Sequence, residues 1–183
     1  MRRAVLASVL KLVQEGPLSD VTIKSIAQEA NVGRQTIYRW WGSRGEIILE
    51  ALLEFSARRV RKSHAGTPEE AALRFIRDTV KQAGIAKEAL AAVMIDAQLD
   101  TAFLERFRSE FVEVRRSAFM QIISELEASS LSESEMQFAA DMVYGPLWYR
   151  LLVGHAPLNK AFADQMAQTV LDWIRTRNNG AGI

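Results

Sequence analysis

The side chains best equipped for chemistry stand together between positions 34 and 44. Arg34 and Gln35 are adjacent, Thr36, Tyr38, Arg39 and Trp40 follow, and Arg44 comes four residues later. None of them is a nucleophile next to a base in sequence, and the chain has two histidines and no cysteine. What they offer is hydrogen bonding to a nucleic acid. Arginine pairs bidentately with guanine in the major groove and glutamine with adenine, so Arg34 and Gln35 are the candidate base readers. Hydroxyl and indole donors suit phosphate oxygens, which fix register without reading sequence, and this makes Thr36, Tyr38 and Trp40 candidate backbone contacts. Arg39 shares the exposed faces with them. Arg44, at the start of a further helix, is a candidate charge-assisted phosphate contact.

These side chains need a rigid mount. Ile37 and Trp41 are four residues apart and share a face with Val32, so a short helix over about 33–40 is anchored through them. A preceding helix over 22–30 carries Ile23, Ile26, Ala27 and Ala30 on one face. Between the two lies Asn31-Val32-Gly33, and Asn and Gly both tolerate the left-handed backbone that a tight turn requires. Two short helices joined by such a turn, the second one polar and basic, form a helix-turn-helix. Val5, Val9, Leu12 and Val13 mark a helix before it, stopped by Gly16 and Pro17. Ser43 and Glu46 form a capping box that opens a long helix through Ile48, Leu52 and Phe55 to about Lys62.

Charge singles out the same region. Residues 1–62 hold 11 Lys and Arg against 6 Asp and Glu, a net +5, whereas the remainder holds 12 against 16, a net −4. A basic segment on a chain of formal net charge +1 implies an anionic partner for that segment, or else a solvated face. The basic stripe Arg58, Arg59, Arg61 and Lys62 reads as solvated. The absence of cysteine excludes disulfides and thiolate metal sites and fits a reducing, cytoplasmic setting. No apolar run approaches the roughly 18 residues of a membrane span. The opening stretch is interrupted by Lys11, Gln14 and Glu15, so it reads as an amphipathic helix rather than a signal peptide.

Beyond a hinge at 63–68, Thr67, Pro68 and Glu70 cap a new helix, and helices are expected over about 68–84, 87–99, 101–128, 132–154 and 159–177. Ser132 and Glu135 form another capping box, Gly154 and Pro157 separate the last two helices, and Pro146 should kink its helix near Met142. No segment alternates as a strand does. In this part Phe138, Met142, Gly145, Trp148, Tyr149 and Leu152 line one helix, and Phe162, Met166, Val170, Trp173 and Ile174 line the next. Two broad apolar faces either bury within one subunit or form a large hydrophobic interface with a second copy. The second reading suits a helix-turn-helix protein, which reads two half-sites about one DNA turn apart.

Residues 22–52, TIKSIAQEANVGRQTIYRWWGSRGEIILEAL, resemble the TetR family of transcriptional regulators. The shared features are Thr22, Ile26-Ala27, the turn 31–33, Thr36-Ile37-Tyr38, Trp41 and Arg44, in order and spacing. Asn31 replaces the usual turn glycine, Gly33 the usual Ser-like cap, and Arg44 the usual Lys. Residues 144–158, YGPLWYRLLVGHAPL, more loosely resemble the penultimate helix of one branch of the family. The resemblance implies an all-α fold: an N-terminal three-helix helix-turn-helix DNA-binding domain (1–62, with the connecting fourth helix) joined to a larger helical effector-binding and dimerisation domain (68–177). It implies Thr22, Arg34, Gln35, Thr36, Tyr38, Arg39, Trp40 and Arg44 as DNA-binding residues. The partners implied are a double-stranded operator, an inverted repeat, and a second subunit. That interface would use Phe138, Met142, Trp148, Leu152, Phe162, Met166, Val170 and Trp173.

It further implies a small-molecule effector that repositions the DNA-reading heads and releases a repressor from its operator. Candidate wall residues are Met94, Phe103, Phe107, Phe111, Phe119, Met120 and Tyr144, each equally at home in a plain core. Asp96 and Arg115 are candidate orienters of a polar effector or simply solvated charges, and an uncharged or weakly polar ligand is expected. No cofactor, metal or membrane is called for. Enzyme readings find no support: neither His64 nor His155 sits in a motif beside a nucleophile or metal ligand, and Glu125 and Glu127 lie on polar faces. The competing reading is a helical protein-interaction module that keeps this fold without specific DNA binding.

Overall fold

A computed structural model describes residues 1–57, 66–126 and 131–180, with the side chains of 178–180 excepted. The stripe Arg58, Arg59, Arg61 and Lys62, the first half of the hinge (63–65, with His64), Glu127 and the expected end of the helix at 128 lie outside the described residues. Every regular element among the described residues is helical. They are α1 (Arg2–Glu15), α2 (Ile23–Glu29), α3 (Arg34–Tyr38), α4 (Arg44–Ala57), α5 (Pro68–Ile85), α6 (Lys87–Leu99), α7 (Thr101–Phe107), α8 (Glu113–Ser124), α9 (Glu133–Val153) and α10 (Lys160–Gly180). A single 3-10 turn, Leu18–Asp20, precedes α2.

Packing divides the chain into two compact units, one of residues 1–62 with 86–111 and one of residues 63–85 with 112–183. The linear division at 62 and 68 is therefore not the division by packing, because α6 and α7 build their core with α1 and α4. In the first unit α1 buries Val5, Leu6, Val9 and Val13 and ends at Gly16, whose N–H donates to Leu12 O. Its partner α4 buries Ile47, Ile48, Leu49, Ala51 and Leu52, and α6 closes the core with Leu90, Ala92, Val93 and Ala97. In the second unit α5 buries Ile76 and Val80, α8 Phe119 and Ile123, α9 Val143 and Leu147, and α10 Val170 and Ile174.

Capping residues set the helix starts. Thr67 and Glu70 exchange hydrogen bonds at the head of α5, and Ser132 and Glu135 do so at the head of α9. At α4 the Ser43 hydroxyl accepts from Glu46 N, but the Glu46 carboxylate takes the N–H of Gly42 rather than that of Ser43. Asp100, which sequence reading passes over, caps α7 by accepting from Phe103 N. Gly154, at φ +69°, ends α9 in the left-handed region, where glycine is unstrained. Pro146 lies inside α9, which continues through it.

The helix expected over 101–128 is interrupted. Between α7 and α8 the backbone winds as a π-helix over Arg108–Val112. Such a turn inserts a residue and rotates the side chains that follow. Phe103, Phe107 and Phe111 accordingly serve the first unit, and Phe119, Ile122 and Ile123 serve the second.

Gly45, in the first turn of α4, lies against Phe103 of α7. A Cβ at this position would stand 2.9 Å from the Phe103 ring and 3.2 Å from Asp96 Cβ. Gly45→Ala is therefore expected to lower stability by about 1–3 kcal/mol through overpacking, measured as a fall in the denaturant midpoint at unchanged slope.

Candidate nucleic-acid interface

The turn before α3 has the geometry that its residues allow. Asn31 sits at φ +51°, and Val32 N donates to Ala27 O, which closes the end of α2. Gly33 supplies no side-chain cap to α3, and the helix runs for only five residues. It is held instead by its anchors, since Ile37 and Trp41 are buried and the Trp41 indole N–H donates to Glu50 Oε2 at 2.8 Å.

With that face buried, Arg34, Gln35, Tyr38, Arg39 and Trp40 are exposed. Two large aromatic side chains, Tyr38 at 59% and Trp40 at 51% exposure, lie on the outside among them. Thr36 is half-buried. Thr22 stands apart as the cap of α2: its hydroxyl oxygen accepts from Ser25 N at 3.1 Å, while the Ser25 hydroxyl takes the N–H of Thr22.

Arg44 differs from expectation. Its Nε and one terminal nitrogen donate to the two oxygens of Asp96 on α6, at 3.0 and 2.9 Å, and the other terminal nitrogen donates to Leu18 O and Val21 O. The bond to Asp96 raises the pKa of the guanidinium against the opposing effect of burial. A guanidinium so occupied fastens α4 to α6 and to the segment leading into α2; it is not laid out as the phosphate contact expected at 44. Sequence reading missed Asp96 as this partner because 52 residues separate the pair.

Sequence reading also missed Glu50 and Arg2. Burial pushes the Glu50 carboxyl up, but hydrogen bonds from Arg2 and Trp41 and the charges of Arg2 and Arg106 outweigh it and hold the pKa below the usual carboxylate value. The signal available was Arg2 itself, a cation in the first turn of a helix, where the dipole disfavours it.

The candidate effector residues divide between the units. Met94, Phe103, Phe107 and Phe111 belong to the first unit, where Phe107 and Phe111 stack with ring centres 5.4 Å apart. Phe119, Met120 and Tyr144 belong to the second, where Phe119 stacks on Phe75 at 5.6 Å. Tyr144 donates its hydroxyl to Arg115 O at 3.0 Å. Burial pushes the Tyr144 phenol up and draws the Arg115 guanidinium down to about 10. Asp96 is tied to Arg44 and so does not stand free to orient an effector.

The candidate interface residues divide by helix. On α9, Phe138, Tyr149, Leu152 and Val153 are exposed, and Met142 and Trp148 half-buried. On α10, Phe162, Met166 and Val170 are buried within their own unit, and Trp173 is half-buried against Phe138, ring centres 5.4 Å apart. Ion pairs from Arg77 to Asp164 and from Arg175 to Glu69 hold α10 on α5, which accounts for that burial.

Among the described residues no cluster of acidic or histidine side chains could hold a metal ion, and no helix is long and apolar enough to cross a membrane. A reading helix mounted on its neighbours by two apolar anchors, with its cationic, amide and aromatic side chains turned outward, defines a helix-turn-helix DNA-binding regulator. Comparison with known proteins agrees. Residues 5–51 match the model of the bacterial regulatory proteins of the tetR family, and residues 63–170 match that of the tetracyclin repressor-like C-terminal domain. The chain belongs to the TetR family of transcriptional regulators.

Relatives include the uncharacterized HTH-type transcriptional regulator YdeS of Bacillus subtilis, 24% identical over 182 residues, covering 94% of this chain and 89% of that protein. The HTH-type regulator Rv1556 of Mycobacterium tuberculosis is 23% identical over 180 residues, covering 96% and 88%. Among solved structures, the TetR family regulator SCO0332 superposes with a TM-score of 0.71 at 20% identity, covering 93% of this chain and 96% of that one. The fatty acid degradation regulator FadR of Bacillus halodurans does so at 0.69 and 17%, covering 93% and 94%. These likenesses establish the two-part helical fold.

Removing the Asp96 carboxylate leaves the half-buried Arg44 guanidinium without its bidentate partner. Asp96→Ala is expected to cost about 1–2 kcal/mol of stability, less than a fully buried pair would because both side chains remain partly solvated. Chemical denaturation of the two proteins measures it.

Proposed function

We propose that this regulator is a homodimeric repressor that binds an inverted-repeat operator through α3 and is released by a small-molecule effector held in its second unit. The observation that carries the reading is the outward face of α3, where Arg34 and Gln35 stand exposed at the start of the helix and Tyr38, Arg39 and Trp40 beyond them. Arg34 and Gln35 supply base recognition, and the aromatic and remaining basic residues set the register on the phosphates. A protein-interaction module would have no need of this arginine and amide pair at the head of a helix anchored by Ile37 and Trp41.

The dimer is supported by α9. Phe138, Met142, Gly145, Tyr149 and Leu152 follow spacings of four, three, four and three, the seam of a helix that packs against another. Tyr149 is 60% and Leu152 47% exposed. Apart from its chain neighbours and the backbone of its own helix, nothing stands within 4 Å of where a Cβ on Gly145 would lie, which leaves room for the close approach of a second helix. The contribution of α10 narrows to Trp173, since Phe162, Met166 and Val170 are buried. For the effector, Phe119, Met120, Tyr144 and Arg115, which share the second unit, are the candidate residues, and their apolar surface with one phenol and one cation suits a weakly polar molecule. Repression as the sign of control accords with the repressor-like C-terminal model.

Selection of bound sequences from a random duplex pool by the purified protein tests the central reading. An enriched inverted repeat is expected, with affinity that falls steeply as salt rises. Arg34→Ala should relax preference at one position per half-site, a loss of roughly 1–3 kcal/mol. Equal base preferences in the two proteins would remove Arg34 from the reading role.

Placing a charge in the α9 seam tests the dimer. Leu152→Glu is expected to raise the dimer dissociation constant at least about tenfold, because it puts an unpaired carboxylate in an apolar interface. Sedimentation equilibrium reads it, and an unchanged constant would move the interface elsewhere.

A further inference from the structure

Arg2 is the first residue of α1, where a cation opposes the helix dipole and no acidic first-turn residue offsets it. Its side chain nonetheless has definite neighbours. Its Nε donates to Glu50 Oε1 at 2.6 Å, and its guanidinium carbon lies 5.5 Å from the centre of the Trp40 ring and 6.0 Å from that of Trp41. The other oxygen of Glu50 accepts the indole N–H of Trp41. One carboxylate on α4 thus holds two things at once: the buried anchor of the reading helix, and a cation that lies over the exposed ring next to that anchor.

The arrangement is hard to explain as stability alone. A cation over an exposed indole contributes only about 0.5–1 kcal/mol, and a 51%-exposed tryptophan covers little of the core. It makes sense as a surface held ready for an anion. Trp40 lies just past the end of α3, separated from it by Arg39, and its N–H donates to Ile37 O at 2.9 Å, so the Arg2 and Trp40 pair flanks the helix that carries Arg34 and Gln35. We propose that Glu50 is a positioning residue for DNA recognition: by fastening Trp41 and Arg2 it sets the Arg2–Trp40 pair against the sugar–phosphate backbone beside the bases that α3 reads. The proposal rests on the reading of DNA by α3.

Simple charge counting predicts the opposite sign. Glu50 is a negative charge beside a surface that meets phosphates, so deleting it should tighten binding to any duplex. If it positions Arg2, deleting it weakens binding to the correct duplex. Glu50→Gln keeps an acceptor for the Trp41 indole and removes the ion pair with Arg2.

The test uses the full chain as wild type, Glu50→Gln, Arg2→Ala, Arg2→Lys and the double variant Arg2→Ala/Glu50→Gln. Each is titrated with the duplex that wild type selects and with a scrambled duplex of equal length. Glu50→Gln and Arg2→Ala are each expected to weaken binding to the selected duplex by about 3–10-fold, and the double variant no more than the stronger single, since both act through one contact. Arg2→Lys should behave as Arg2→Ala, because an ammonium lacks the planar fork that meets Glu50 and lies over Trp40. Binding to the scrambled duplex should weaken by a similar factor, because a contact to the sugar–phosphate backbone carries no sequence information.

Tighter binding of Glu50→Gln to both duplexes, losses that multiply in the double variant, or wild-type behaviour of Arg2→Lys would each overturn the proposal. Should Glu50→Gln disturb folding, the Arg2 variants decide alone, because that side chain is 55% exposed. If wild type prefers no duplex over the scrambled one, the assignment of α3 as reading helix has failed. If it does prefer one and the Arg2 and Glu50 variants share that preference at full affinity, only the role of Glu50 has.

Discussion

The first unit depends on the guanidinium of Arg44. Through four hydrogen bonds it joins the head of α4 to the carbonyls of Leu18 and Val21, just before the cap of α2, and to the carboxylate of Asp96 on α6. Only the planar fork of an arginine presents donors in two directions and meets a carboxylate with two parallel bonds; a lysine ammonium has three donors on one atom. The arginine at this position, where the family resemblance leads one to expect lysine, therefore has a physical consequence. It fixes α2 and α4, the two neighbours between which α3 is mounted, and it ties that mount to α6.

Everything that faces outward in the first unit relies on this frame. A five-residue helix with a glycine cap has no independent stability, since helix nucleation is unfavourable and short helices are marginal alone. It persists because Ile37 and Trp41 are buried and because Glu50 holds the Trp41 indole. The side chains left outside, Arg34, Gln35, Tyr38, Arg39 and Trp40, are of types able to hydrogen-bond to bases and phosphates. In the second unit the same economy of faces leaves an apolar seam on α9, while α10 spends its apolar residues on α5 and its ion pairs hold it there. A surface rich in cations and amides in one unit and a surface of aromatic and aliphatic side chains in the other are what a DNA-reading dimer requires.

Much of this was legible in the sequence. The helix-turn-helix followed from Ile37 and Trp41 at a spacing of four and from Asn31 and Gly33 in the turn; the capping pairs at Thr67 and Ser132 announced their helices. What was not legible depended on contacts between residues far apart. Arg44 looked like a phosphate contact because an arginine in the first turn of a helix after a basic segment suits an anion, and nothing local reveals that Asp96 supplies one. Phe103, Phe107 and Phe111 formed a plausible wall with Phe119, yet the π-helical stretch at 108–112 turns the two groups to different cores, and no residue in it signals a change of winding. The apolar stripe of α10 has the period of an interface helix and of a core helix alike, and only the packing on α5 distinguishes them.

The most direct test of the account is an amide and side-chain NMR titration of the full chain with the duplex it selects. The largest perturbations are expected on residues 33–41 and on Arg2, while the Nε resonance of Arg44 keeps the shift of a group bonded to Asp96. Perturbations centred elsewhere, with residues 34–40 unmoved, would contradict the assignment of α3 as the helix that reads DNA.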